Sequence, residues 1–121
     1  MSIKRYESPL GLPFSRMIRA GGFVFFSGQI PMDDKGQVVK GDITAQTHAV
    51  MARLNDSLGE VGLTFADVIK VTVWLSDLSL FAEFNEVYRS YFKEGLPVRS
   101  TVEAKLAMGV DLEIEIQALD S

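Results

Sequence analysis

Val68-Ile69-Lys70-Val71-Thr72-Val73-Trp74-Leu75 alternates with the two-residue period of a strand, and the stretches on either side of it do not. Ile69, Val71, Val73 and Leu75 fall on one face, and Val68, Lys70, Thr72 and Trp74 on the other. Upstream, Ile43, Thr47, Val50, Leu54, Leu58 and Val61 recur at helical steps, with Asp42 as a good N-cap and Gly62 as a stop. Downstream, Phe81, Phe84, Tyr88 and Tyr91 share one stripe of a second helix. This helix is expected to run from about Ser79 to Lys93, where Gly95 and Pro97 end it. A strand between two amphipathic helices sets the class as α+β.

Further out, Phe23-Val24-Phe25-Phe26 is a short strand after Gly21-Gly22, with Met17-Ile18 as its hairpin partner. Gln37-Val38-Val39 is expected to be a short edge strand. At the other end, Arg99, Thr101 and Glu103 share one face of a strand, and Ser100, Val102 and Ala104 the other. Leu112, Ile114, Ile116 and Ala118 form the apolar face of a last strand, opposite Glu113, Glu115 and Gln117. The predicted order is ββ(β)αβαββ in one domain, residues 1–121.

Composition narrows the chemistry. The chain carries a net charge of −4, its twelve basic residues are scattered, and it has no cysteine. Disulfides, thiolate catalysis and zinc–thiolate sites are excluded, and nucleic-acid binding is disfavoured. No apolar run approaches the ~20 residues of a membrane span, and the first residues lack a signal peptide's apolar core, so the cytoplasm is the expected compartment. No ligand-spaced cluster suggests a metal, and His48, the single histidine, falls off the apolar stripe as an exposed side chain.

Four features remain as candidates. Arg99 follows Pro97 at the start of a half-buried strand. A guanidinium there either holds a carboxylate with its planar fork or makes a structural salt bridge to Glu113 or Glu103. Glu113 either activates a water or is an exposed strand glutamate. Ser27-Gly28-Gln29-Ile30-Pro31 marks either a cleft edge or a plain turn. Asn85, among Phe84, Val87 and Tyr88, either orients a loop or faces water.

Taken in order, several segments resemble the Rid (YjgF) family of reactive-intermediate deaminases. They are Ser27 to Pro31, Asp42 to Gln46, Asp67 to Val73, Phe81 to Tyr88, Tyr91-Phe92, Pro97-Val98-Arg99-Ser100-Thr101-Val102-Glu103 and Leu112 to Glu115. The resemblance implies a chorismate-mutase-like (YjgF-like) fold, a mixed β-sheet backed by two helices. It also implies a cofactor-free homotrimer with ligand clefts between subunits. The implied activity is that of a 2-iminobutanoate/2-iminopropanoate deaminase-like hydrolase, which turns enamine and imine acids of the 2-aminoacrylate type into 2-keto acids and ammonia.

By position, Arg99 is then the carboxylate clamp, and Glu113 the group that works through a water. Backbone at Ser100-Thr101, with the Thr101 hydroxyl, completes the water site, and Ser27, Gln29, Phe14 and Asn85 shape the pocket. Phe14 stands where the family often has tyrosine, and Thr101 where it often has cysteine. The alternatives are a pathway-specific deaminase for an aminomuconate-like enamine, a trimeric metabolite-binding regulator without turnover, and the ribonuclease activity proposed for some relatives.

Overall fold

Asp42 opens the first helix by accepting the Ala45 N–H at 2.9 Å, satisfying one of the free donors of the first turn. The computed structural model, which describes residues 2–120, carries this helix, α1, over Ile43–Glu60. Ile43, Thr47, Val50, Leu54 and Leu58 are all buried, as their spacing predicts. Thr47 returns its hydroxyl to the Ile43 carbonyl, which lets a polar residue sit inside.

The strands are β1 (Ile3–Glu7), β2 (Ser15–Ala20), β3 (Phe23–Phe26), β4 (Val68–Leu75), β5 (Val98–Glu103) and β6 (Leu112–Leu119). They form one sheet in the order β1-β2-β3-β6-β4-β5. Only β4 and β5 run parallel, joined across the second helix, α2 (Phe81–Arg89); every other pair is antiparallel. The fold is therefore the α+β mixed sheet with two helices that the resemblance implies. Between β2 and β3, Gly21 and Gly22 take φ of 60° and 83°, a two-residue turn that only glycine enters at no steric cost.

Four sequence expectations are corrected. Three strands do precede α1, but the first is Ile3–Glu7, whose polar, exposed residues conceal it as an edge strand. Gln37-Val38-Val39 is not a strand; it makes one isolated bridge, Val38 to Met32, beside a turn tied by Asp33. In β4 the register against β6 slips between Val68 and Lys70. That bulge turns Val68 inward and leaves Ile69 39% exposed, reversing the expected phase at this end. Finally, α2 is shorter than predicted. Asp77 caps a single 3-10 turn, Leu78–Leu80, ahead of it, and after Arg89 the chain tightens into three-residue turns through Phe92.

Both helices cover one face of the sheet. Val71, Val73 and Leu75 of β4 and Leu112, Ile114 and Ile116 of β6 pack there with Val50, Leu54, Leu58 and Phe84. Among the described residues nothing covers the opposite face, where Phe25 (β3), Leu119 (β6), and Val98 and Val102 (β5) stay exposed.

Candidate functional site

Strand pairing assigns the candidates that lie on paired strands to a face, because paired residues project to the same side. Glu113 pairs with Trp74, on the uncovered face. Its carboxylate lies against Gly28, so closely that a Cβ built there would stand 2.1 Å from Oε2. The backbone at 28 is held from three directions. Gln29 exchanges both backbone hydrogen bonds with Ile114 (2.8 and 3.0 Å), the Ser27 hydroxyl donates to the Ser15 carbonyl (2.6 Å), and Arg53 of α1 donates to the Ile30 carbonyl (3.0 Å). Phe14, just before Ser15, is 51% exposed at the same end of the sheet. Burial holds the Glu113 carboxyl above the usual range, and repulsion from Glu115 adds to it.

Arg99 lies on the other face. It pairs with buried Val71 of β4, and Thr101 pairs with buried Val73. The guanidinium carbon sits 5.5 Å from the ring centres of Phe81 and Phe84 and 4.9 Å from that of Tyr88. These three rings are one face of α2, and Asn85 belongs to the same face by its spacing. Among the described residues Arg99 has no ion pair and its guanidinium makes no hydrogen bond. The expected alternative of a salt bridge to Glu113 or Glu103 is therefore not formed: Glu113 is across the sheet, and Glu103 accepts the Leu78 N–H instead. Two oxygens on this side are buried without a partner, Asn85 Oδ1 and the Tyr88 hydroxyl. Burial pushes the Tyr88 hydroxyl up to about 12, while the nearby Arg99 charge pulls the other way.

The predicted residues thus form two half-sites. One gathers Glu113, Gly28, Ser27 and Phe14, with only the backbone of Gln29, whose side chain follows its partner Ile114 to the helix side; the other gathers Arg99, Thr101 and Asn85. Ser100 turns its side chain to the uncovered face, because it pairs with Thr72, and so only its backbone borders the arginine. Arg99 and Glu113 are not brought together within one chain, and a cleft using both requires two copies. His48 is exposed and meets the Tyr91 hydroxyl, away from both half-sites. The sequence reading missed Tyr88 and Phe81, counted there only as an apolar stripe. The available signal was an aromatic i, i+3, i+7 face placed before a strand that carries an unpaired arginine.

Comparison with known proteins adds an independent result. A family model described as endoribonuclease L-PSP matches residues 8–120. A RutC family protein of Pyrococcus horikoshii is 47% identical over 92% of this chain and 87% of the relative. The crystal structure of YyfA from Yersinia pestis, described as a protein of unknown function of the Rid family, superposes with a TM-score of 0.90 at 32% identity, covering 98% of this chain and 99% of that one. A structure of E. coli TdcF with bound serine superposes at 0.85 with 35% identity, covering 90% and 89% of the two chains.

Proposed function

The chain belongs to the Rid (YjgF) family, and from that premise we propose that it is a hydrolytic deaminase of enamine and imine acids. The observation that carries the reading is Arg99: a half-buried guanidinium stacked on three rings with its donors unanswered. Such a fork is suited to a ligand carboxylate, which accepts two parallel N–H bonds. The serine bound by TdcF supports the choice, since an amino acid presents that carboxylate.

The site then lies between copies, with Arg99, Thr101 and Asn85 of one protomer facing Glu113, Ser27, Phe14 and the backbone of Gln29 of the next. The uncovered sheet face, with its exposed Phe25, Val98, Val102 and Leu119, supports a homotrimer. In the cleft, Arg99 holds the carboxylate and the neighbouring Glu113 holds the water. That water adds to the imine carbon while Glu113 carries its proton to nitrogen, giving a carbinolamine; Glu113 then carries the carbinolamine hydroxyl proton to the amine, the C–N bond breaks, and a 2-keto acid and ammonia are released. A carboxyl raised by burial is suited to both taking and returning that proton. No metal or cofactor is needed for this sequence, because the imine is already electrophilic.

The direct test supplies an imine in place from an amino-acid oxidase and follows ammonia and 2-keto acid. Faster keto-acid release than in buffer, lost in Arg99→Ala, is the expected result; an imine lifetime unchanged by the protein refutes the reading. Tight 2-keto-acid binding without turnover would favour a regulatory metabolite binder, and activity confined to one enamine a pathway-specific deaminase. The family description favours a second reading, RNA cleavage. The net charge of −4 opposes it, and single-stranded RNA is expected not to bind at low salt. The proposed compartment is the cytoplasm; among the described residues no helix is long and apolar enough to cross a membrane.

A further inference from the structure

Tyr88 is 4% exposed and packs between Phe84 and Phe92, with ring centres 5.4 and 4.7 Å away. A phenylalanine would fill that space and leave no polar atom to satisfy. The hydroxyl is therefore not there for packing, and a buried hydroxyl without a partner destabilises the fold. Its neighbour Arg99 has the complementary deficiency: up to five N–H donors and no acceptor among the described residues. The guanidinium lies within hydrogen-bonding reach of the hydroxyl, and both its charge and that proximity act on it, yet in the unliganded arrangement no N–H is aligned with the oxygen well enough to complete a hydrogen bond.

We propose that Tyr88 is a positioning residue, whose hydroxyl accepts a hydrogen bond from Arg99 when the guanidinium turns its fork to a carboxylate. The proposal rests on reading Arg99 as the clamp. A carboxylate occupies two N–H groups on one edge of the fork, leaving the others to be oriented by protein acceptors. Tyr88 supplies one within the same aromatic stack and so selects the edge offered to the ligand. Because burial keeps the phenol neutral, it orients the arginine without acting as a counter-ion, and the full positive charge remains for the ligand.

The probe is 2-oxobutanoate, with its neutral amide as control, measured by calorimetry on the full chain. Tyr88→Phe is expected to bind the acid roughly tenfold more weakly, the effect of one hydrogen bond to a charged group. Affinity for the amide and the turnover at saturation should stay unchanged, so that the loss appears in KM and not kcat. In the unmodified protein, the Tyr88 13Cζ resonance should shift when 2-oxobutanoate saturates the site. Unchanged acid affinity in Tyr88→Phe, with binding lost in Arg99→Ala, overturns the role of Tyr88 and leaves the clamp standing. Equal loss of acid and amide, or a Tyr88 resonance that does not move, also overturns it. Wild-type binding in Arg99→Ala overturns both readings.

Discussion

Gly28→Ala isolates the placement of Glu113 from everything else in the site. Gly28 does not take a positive φ, so alanine meets no backbone strain there. The added methyl group, however, would lie 2.1 Å from Glu113 Oε2, 3.0 Å from Cδ and 3.2 Å from Cγ. Ordinary contact begins at 3.4 Å, so the carboxylate has to withdraw by roughly 1 Å or more. The obstruction is the far end of a flexible side chain, so the fold should yield locally and the thermal midpoint should change by only a few degrees. Catalysis should not yield so easily, since a displacement of ~1 Å at a reacting group can lower a rate about 100-fold. The assay is keto-acid release from an oxidase-generated imine, with 2-oxobutanoate affinity measured beside it. The expected pattern is a kcat lowered about 100-fold with affinity largely kept, because Arg99 of the other half-site still holds the carboxylate. A folded Gly28→Ala variant with wild-type kcat refutes the assignment of Glu113 to the chemical step.

Three other perturbations test separate parts of the account. Arg99→Lys should keep the charge but lose most activity, about 100-fold, because an ammonium cannot reproduce the planar fork; steady-state kinetics read this directly. Glu115→Gln removes the like charge that helps hold Glu113 up. The Glu113 limb of the pH–rate profile should then move to lower pH, and added salt should shrink the difference between the two proteins. The linked stability has a definite sign: a carboxyl raised on folding stabilises the protein below its unfolded pKa, and that contribution is lost as pH rises through the folded value. Asp42→Ala removes the α1 cap, which should cost about 1 kcal/mol and lower the thermal midpoint by roughly 3–6 °C in a melt, with ligand affinity unchanged.

The legible parts of the chain were those with a repeating pattern. The α1 stripe, the alternation of β6 and the Gly21-Gly22 hairpin read directly, because burial on one face leaves a period in the residues. Ile3–Glu7 was not legible, since an exposed edge strand carries no apolar period. The bulge at Val68–Lys70 was also hidden: it is a mismatch with β6, and β6 lies some forty residues further along the chain.

The same division holds for the site. Sequence by itself determined which groups are available, namely an arginine after Pro97, a glutamate in the last strand and no thiol at all, and the family order in which they stand. Only the tertiary structure decided that Arg99 and Glu113 project from opposite faces of one sheet. Strand parity fixes a residue's side relative to its own strand neighbours, while the side shared between strands depends on register across β4, β5 and β6. Register is a property of the paired sheet, and it is what divides the candidate residues into two half-sites and makes a second copy of the chain part of the proposed chemistry.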